Sequence, residues 1–219
     1  MRPAIAAGLG LAFLAAPVLA CPEPSDGLLF HSCWGEASAD LVLLPEDEPL
    51  PEPPEDGVRL IVTGAYTGRD MREAGGPAPV GLYMRAGEVV NRNMSRMDGL
   101  LVVDPEEGDL ALFDRAAVPR GSRTLNLRQV EPRHTFIDIA SGAGLDVLQS
   151  HLLIIDGEFD VRDQPDAPRF RRRILYTDAD GFGLFQTEDA VSLYDAARLL
   201  EEVVDPVMAL NLDMGSYDF

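Results

Sequence analysis

The chain has few basic residues for its length. It holds 18 Lys and Arg against 37 Asp and Glu in 219 residues, and its formal net charge is -19 at pH 7. A surface with this excess of negative charge repels nucleic acids and anionic lipid headgroups. We therefore expect neither nucleic acid nor an anionic membrane surface as a partner.

The sequence also lacks the motifs of common cofactor and metal sites. No glycine-rich phosphate loop follows a strand, and the patterns Gly-x-Ser-x-Gly and His-Glu-x-x-His are absent. The three histidines, His31, His134 and His151, are scattered, which favours structural or surface roles over a metal centre. An aspartate-rich stretch at 178–181 lacks the distal glutamate of a calcium loop and is typical of a turn. We expect no cofactor and no metal site.

Long apolar runs are missing except at the N-terminus. Arg2 precedes an apolar stretch over residues 4–20, which ends in the small-residue pattern Val-Leu-Ala. The stretch is short for a membrane span and rich in alanine and glycine, which is typical of a cleaved signal peptide. We therefore expect a signal peptide over 1–20, a periplasmic or secreted protein without a membrane span, and one domain over 21–219.

Cysteine is scarce, with two residues in the whole chain. Cys21 and Cys33 both lie at the start of the predicted mature chain, and export places them in an oxidising compartment. A disulfide between them is expected to stabilise the fold by about 3 kcal/mol in the loop-entropy description. The alternative is lipid modification of Cys21, directly after the cleavage point, with Cys33 left unpaired.

Proline and acidic residues are concentrated in one segment. Residues 45–57 alternate proline with glutamate and aspartate. Such a stretch cannot pack a core, and we expect an extended, solvated surface loop.

Downstream of this segment the chain consists mainly of short predicted strands joined by turns. Candidate strands cover 58–63, 80–85, 88–90, 100–103, 110–113, 135–139, 152–155, 173–177 and 182–186. Turn sequences join three successive pairs of them into hairpins, namely 80–85 with 88–90, 100–103 with 110–113, and 173–177 with 182–186. A short helix is predicted over 144–149. The pattern predicts an α+β fold, a single strand-rich domain with a mixed sheet and few helices.

The clearest helix signal lies near the C-terminus. Ser192 and Asp195 have the spacing of a capping box, which predicts a helix beginning at Leu193. Apolar residues then recur at helical spacing as far as Val204, and Pro206 prevents the helix from continuing.

A strand is predicted directly after this helix. From residue 207 the apolar period changes to two, so Asn211 and Asp213 share one face at the strand's C-terminal end. Polar side chains at a strand tip, beside Gly215, indicate a site.

Several segments, taken in order over most of the mature chain, resemble the phosphodiester glycosidase family, especially its small exported bacterial branch. The best-known member of that family uncovers mannose 6-phosphate by removing N-acetylglucosamine. The similar pieces are the two N-terminal cysteines, residues 61–66, 79–87, 149–157 and 171–173, the helix at 194–200, and the ending Leu-Asp-Met-Gly-Ser at 212–216.

The resemblance implies cleavage of the bond between a sugar's anomeric carbon and a phosphodiester oxygen. Because a phosphate leaves readily, the main need is to stabilise an oxocarbenium-like centre and to position water. A carboxylate serves both needs, and the resemblance places Asp213 in that catalytic role. Arg171 is the candidate for holding the phosphate through two oxygens.

The remaining candidates are expected to contact the sugar or the phosphate of a sugar-phosphate or envelope-glycan ligand. They are Thr63, Gln149, Ser150, Gly215 and Ser216. Structural roles are the alternative, since Gln149 and Ser150 also suit the cap of a short helix, and an arginine run also suits a solvated strand edge.

Two functions remain open from the sequence. The chain has Thr63 where the family has asparagine, and Ala65, His151, Arg173 and Met214 where it has glycines. One function is hydrolysis of a sugar-1-phosphodiester or a related glycoside. The alternative is a catalytically degenerate member that binds an envelope glycan or a protein.

Overall fold

The computed structural model describes residues 25–34, 37–42, 60–66 and 79–214. The expected signal peptide and acidic loop lie outside the described residues, as do Cys21, Gly215 and Ser216. No cysteine in the described part is free, and the pairing of Cys33 with Cys21 stays a prediction. None of the helices in the described ranges is long and apolar enough to cross a bilayer.

Strands are the main secondary structure of the described residues. They are β1 Leu28–Cys33, β2 Tyr83–Arg85, β3 Glu88–Asn91, β4 Gly99–Val103, β5 Leu110–Asp114, β6 Val118–Arg120, β7 Arg123–Leu125, β8 Asp146–Ile155, β9 Glu158–Phe159, β10 Arg173–Thr177, β11 Gly181–Gln186 and β12 Met208–Leu212. The two helices are α1 Val130–Gly142 and α2 Leu193–Glu201. The strand-rich α+β class with few helices is confirmed. Every pairing between these strands is antiparallel, so the sheet is not mixed within the described part.

One sheet of ten strands is organised around the long strand β8. The strand order is β1-β11-β10-β12-β8-β2-β3, with β4 paired to β8 and β5, and β9 paired to β8; β6 and β7 form a separate hairpin. Residues 146–150 of β8 pair with β2 and β4, whereas residues 151–155 pair with β12 and β9. The partners of β8 therefore change between Ser150 and His151, and β8 belongs to two halves of the sheet.

The two halves of the sheet pack against each other, and each is covered on its outer face by a helix. Leu101 of β4 and Leu210 of β12 lie in one buried cluster between the halves. Because successive side chains of a strand point to opposite faces, Leu100 packs with α1 and Ala209 packs with α2. The order of layers is α2, sheet half, sheet half, α1.

The C-terminal helix begins where the sequence predicts. α2 starts at Leu193, and the Ser192 Oγ accepts a hydrogen bond from the backbone N–H of Asp195 at 3.0 Å. The Asp195 carboxylate pairs with Arg169 at 3.1 Å. The helix ends at Glu201, three residues before the predicted end, and the chain turns there toward β12.

The three predicted hairpins are confirmed as β2–β3, β4–β5 and β10–β11. In the first of them, Ala86 and Gly87 both have positive φ, 46° and 75°. This is the backbone twist that a two-residue hairpin turn needs, and Gly87 adopts it without the steric cost that alanine has at Ala86.

Three local predictions are wrong. The predicted strand 135–139 lies inside α1, the predicted helix 144–149 falls mostly in β8, and residues 60–63 of the predicted strand 58–63 lie outside any strand. Residues 146–150 are all buried because both faces of β8 are covered, so the segment lacks the period of two that marks a half-buried strand.

Candidate functional site

Polar side chains gather where β12 ends and β10 begins, beside the partner change in β8. Asn211 of β12 lies opposite His151 of β8. The segment 60–66 reaches the same point, where the Gly64 carbonyl accepts a hydrogen bond from the Asp213 N–H at 3.1 Å. We refer to Tyr66, His151, Arg172, Asn211 and Asp213 as the β12-end cluster.

Asp213 is half-buried and directly follows β12. Its carboxylate accepts the Met214 N–H at 2.9 Å, and its carbonyl accepts the Arg173 Nη1 at 3.5 Å. Burial raises the pKa of Asp213, and the Met214 bond and the nearby Arg173 charge offset this rise only in part. A carboxyl group with a raised pKa is suited to proton transfer.

Tyr66 connects the members of the cluster. Its hydroxyl accepts a hydrogen bond from the Asn211 Nδ2, and its ring meets the His151 ring edge-on with 6.2 Å between centroids. Burial raises the pKa of Tyr66, Arg172 and the Asn211 bond oppose the rise, and Asp213 adds to it. The hydroxyl therefore stays neutral at neutral pH and remains able to donate.

Asn211 is 1% exposed and holds the tyrosine in place from within the sheet. Its Nδ2 also donates to the Leu212 carbonyl at 3.2 Å. Its Oδ1 is buried and has no hydrogen-bond partner among the described residues. An unpaired buried acceptor costs stability, and a functional role is one of the explanations for keeping it.

His151 lies between an acidic and a basic neighbour. Burial lowers the pKa of His151, the Asp98 charge raises it, and Arg172 lowers it further. The imidazole is therefore neutral at neutral pH. The Asp98 carboxylate accepts the Leu152 N–H at 2.9 Å, which fixes it beside β8. Burial and the adjacent Asp98 raise the pKa of Asp160, so a second carboxyl group lies close by.

Arg172 brings positive charge to the cluster. Its Nε donates to the Val191 carbonyl at 3.3 Å and its Nη2 to the Pro168 carbonyl at 3.0 Å. The guanidinium carbon lies 5.1 Å from the centroid of the Phe170 ring. Burial lowers the pKa of Arg172 while Tyr66 raises it, and an arginine with such a shift still stays charged. Because the carbonyl acceptors are neutral, this charge is available to an anion.

Gln149, predicted to bind substrate, is engaged in the scaffold. Its Oε1 accepts the N–H groups of Leu82 and Ser95, both at 3.0 Å, and its Nε2 donates to the Met97 carbonyl at 2.5 Å. The side chain is 1% exposed. These contacts join β8 to the segments around β2 and β4.

Ser150 and Thr63 lie next to the cluster. The fully buried Ser150 Oγ donates to the Asn211 carbonyl, which ties β8 to β12 at the partner change. Thr63 is half-buried and precedes Gly64, which bonds to Asp213. The structure therefore brings Thr63, Ser150 and Asp213 to one region, and their roles with substrate stay predictions.

Arg171 lies on the surface, next in sequence to the half-buried Arg172. The arginine that interacts with Tyr66 is Arg172. The positions of Gly215 and Ser216 lie outside the described residues.

Sequence reasoning did not assign a site role to most of the cluster. Asn211 was indicated by its alternation with Asp213 along one strand, but Tyr66, His151 and Arg172 come from distant segments. No signal in the sequence singles out Asp98 or Asp160. Within the described ranges, no three His, Cys, Asp or Glu side chains are placed to hold a metal ion.

An open, mainly apolar cleft lies at the opposite end of the sheet. It has a volume of about 270 Å³ and includes no member of the β12-end cluster. Residues of its wall include Trp34, Leu110, Leu112, Asp178, Phe182 and Val207.

The comparisons with known proteins include a similar solved structure. No family model and no curated protein matches the chain. The catalytic domain of zebrafish N-acetylglucosamine-1-phosphodiester alpha-N-acetylglucosaminidase, auto-inhibited by its pro-peptide, is similar over 71% of this chain, with 13% sequence identity and a TM-score of 0.44. The aligned part spans 50% of the zebrafish chain.

Proposed function

We propose that the protein is an exported hydrolase that cleaves a sugar-1-phosphodiester at the β12-end cluster. The observation that carries the proposal is the combination of a half-buried carboxyl group of raised pKa, Asp213, with the cationic Arg172 and the neutral Tyr66 hydroxyl. The order of the sequence motifs supports the same reaction.

In this proposal Arg172 and Tyr66 hold the phosphate. A guanidinium matches two phosphate oxygens, and a phenol hydroxyl adds a donor. Tyr66 and His151 are both neutral at neutral pH, because burial raises the pKa of the phenol and lowers that of the imidazole. Tyr66 therefore does not repel the phosphate as a phenolate would, and His151 adds no positive charge to that of Arg172.

Asp213 acts on the sugar side of the scissile bond. In its ionised form it stabilises positive charge at the anomeric carbon or accepts a proton from the attacking water. Because the leaving phosphate needs little protonation, the proposed hydrolysis needs only one carboxylate and one cation that binds the phosphate.

The test is hydrolysis of a panel of sugar-1-phosphodiesters by the wild type and by Asp213→Asn. We expect the substitution to lower kcat/KM by about 10²–10⁴-fold, the usual contribution of a positioned acid or base. Asp205→Asn is the matched control, since Asp205 is exposed and precedes β12 at its other end. Equal rates for wild type and Asp213→Asn, including no hydrolysis by either, would falsify the proposal.

The pH profile adds an independent readout. Because the reaction uses ionised Asp213 and burial raises the pKa of Asp213, kcat/KM must rise with pH, with a midpoint above the ordinary value of 3.8. We expect kcat/KM of the wild type and of the Asp205→Asn control to fall at low pH. The residual kcat/KM of Asp213→Asn should not show this fall.

A second candidate function is glycan binding without hydrolysis. It is favoured by Arg173, which is 1% exposed and stands where the family has glycine. Its Nη1 contacts the Asp213 carbonyl at 3.5 Å and its Nη2 bonds the Gln186 Oε1 at 2.7 Å, so a bulky side chain occupies the space beside Asp213. Binding of panel members by the wild type without their turnover supports this second function.

A further inference from the structure

A short segment of the chain has a charge opposite to that of the whole molecule. Four of the five residues at 169–173 are arginines, and the fifth is Phe170. The chain has 18 basic residues, none of them lysine, and a net charge of -19. We refer to residues 169–173 as the arginine segment.

The positive charge of this segment is only partly neutralised. Arg169 pairs with Asp195 at 3.1 Å and is 61% exposed. Arg172 donates to two backbone carbonyls, which are neutral, and Arg171 lies on the surface. Neither Arg171 nor Arg172 has an ion pair with a carboxylate within the described ranges. Arg171 and Arg172 therefore carry positive charge that no carboxylate of the described residues neutralises through an ion pair.

The backbone of the segment is held in place. Phe170 and Val191 exchange two backbone hydrogen bonds, of 3.1 and 2.9 Å, and the Arg172 N–H donates to the Thr187 Oγ1 at 2.9 Å. Phe170 is 59% exposed, and its ring supports the Arg172 guanidinium at 5.1 Å. Because the backbone of the arginine segment is already fixed, less conformational entropy is lost when an anion binds to its side chains.

The arginine segment also adjoins the β12-end cluster. Arg172 belongs to both, and Arg173, the last residue of the segment, is the first residue of β10 and lies opposite Leu212. A ligand whose phosphate contacts Arg172 therefore has two further guanidinium groups, those of Arg169 and Arg171, next to it along the chain.

We infer that the arginine segment binds a second phosphate of the same ligand, beyond the phosphate held at the β12-end cluster. The inference rests on the proposed function for the position of the first phosphate. The ligand class is a small phosphodiester whose leaving group carries a further phosphate. Long polyanions do not fit, because the net charge of -19 repels those parts of a polymer that extend past the segment.

The test is calorimetric binding of tripolyphosphate and of orthophosphate to the full chain at physiological salt. We expect the wild type to bind tripolyphosphate at least about tenfold more tightly, because a second set of charge-assisted hydrogen bonds forms. Arg169→Gln/Arg171→Gln removes this preference. The matched control is Arg120→Gln/Arg123→Gln, which removes two exposed arginines of the β6–β7 hairpin, away from the segment.

The outcomes separate this inference from the proposed function, since the binding assay contains no turnover. Equal affinity for the two anions, or an equal loss in the control variant, overturns the second phosphate site even if a sugar-1-phosphodiester is hydrolysed. Preference for tripolyphosphate that depends on Arg169 and Arg171 supports it even if no panel member is hydrolysed. If Arg169→Gln/Arg171→Gln does not fold, the test is repeated with Arg171→Gln alone. We expect this single variant to keep the thermal unfolding midpoint of the wild type.

Discussion

At the scale of single residues, Gln149 shows how a buried polar side chain organises a neighbourhood. One amide satisfies three backbone groups, those of Leu82, Ser95 and Met97. Gly81 is needed beside it, because a Cβ there would collide with the Gln149 Oε1 and its φ is +88°. The Val-Gly-Leu motif that contributes to the family resemblance is therefore explained by packing around Gln149.

Replacing this amide is expected to be costly. Gln149→Leu leaves the Leu82 N–H and the Met97 carbonyl without this partner in the core and the Ser95 N–H without it in a half-buried position, and we expect a loss of roughly 3 kcal/mol in the free energy of unfolding. Urea denaturation followed by circular dichroism measures it. The control is Gln129→Leu, since Gln129 is exposed and its side chain makes no cap bond at α1. Similar stability losses in both variants would contradict the scaffold role of Gln149.

At the scale of elements, α2 is the part whose local sequence agrees best with its structure. The Ser192 cap and the apolar face with Ala196, Ala197 and Leu200 both follow from nearby residues. The same holds for the three hairpins, whose turns are specified by two to five residues. α1 and β8 differ, because their identity depends on what covers them from elsewhere in the chain.

Removal of the α2 cap should have a modest and measurable effect. Ser192→Ala removes the acceptor for the Asp195 N–H, and we expect the free energy of unfolding to fall by about 1 kcal/mol. Ser122→Ala, at an exposed position between β6 and β7, should change it little. Thermal unfolding of the two variants and the wild type measures the difference. An unchanged stability of Ser192→Ala would show that the cap hydrogen bond does not stabilise the protein.

At the scale of the whole molecule, the net charge of -19 should make stability depend on salt. Repulsion between like charges disfavours the compact state, and salt screens it. We expect the Tm to rise by ~2 °C or more between 10 and 300 mM NaCl, using the usual relation between stability and Tm for this size. KCl should act like NaCl. A Tm that stays constant or falls would show that other interactions in the fold already offset the repulsion between the acidic residues.

The candidate site also depends on the whole molecule, because its residues come from distant segments of the chain. Asn211 and Asp213 could be predicted together because they alternate on one strand. Arg172, His151 and Tyr66 precede Asn211 in the sequence by 39, 60 and 145 residues, and Tyr66 still bonds to Asn211. A periodicity or a short motif relates only residues that are close in sequence. It cannot predict contacts between such distant residues, so this part of the site could be identified only from the three-dimensional structure.

The shared strand β8 has a consequence for how the molecule unfolds. Its first half pairs with β2 and β4 and its second half with β12 and β9. When either half of the sheet comes apart, it exposes backbone groups of part of this one ten-residue strand. Because one strand is common to both layers, we expect a single cooperative unfolding transition, in which a core defect beside α1 also destabilises the half of the sheet that packs against α2.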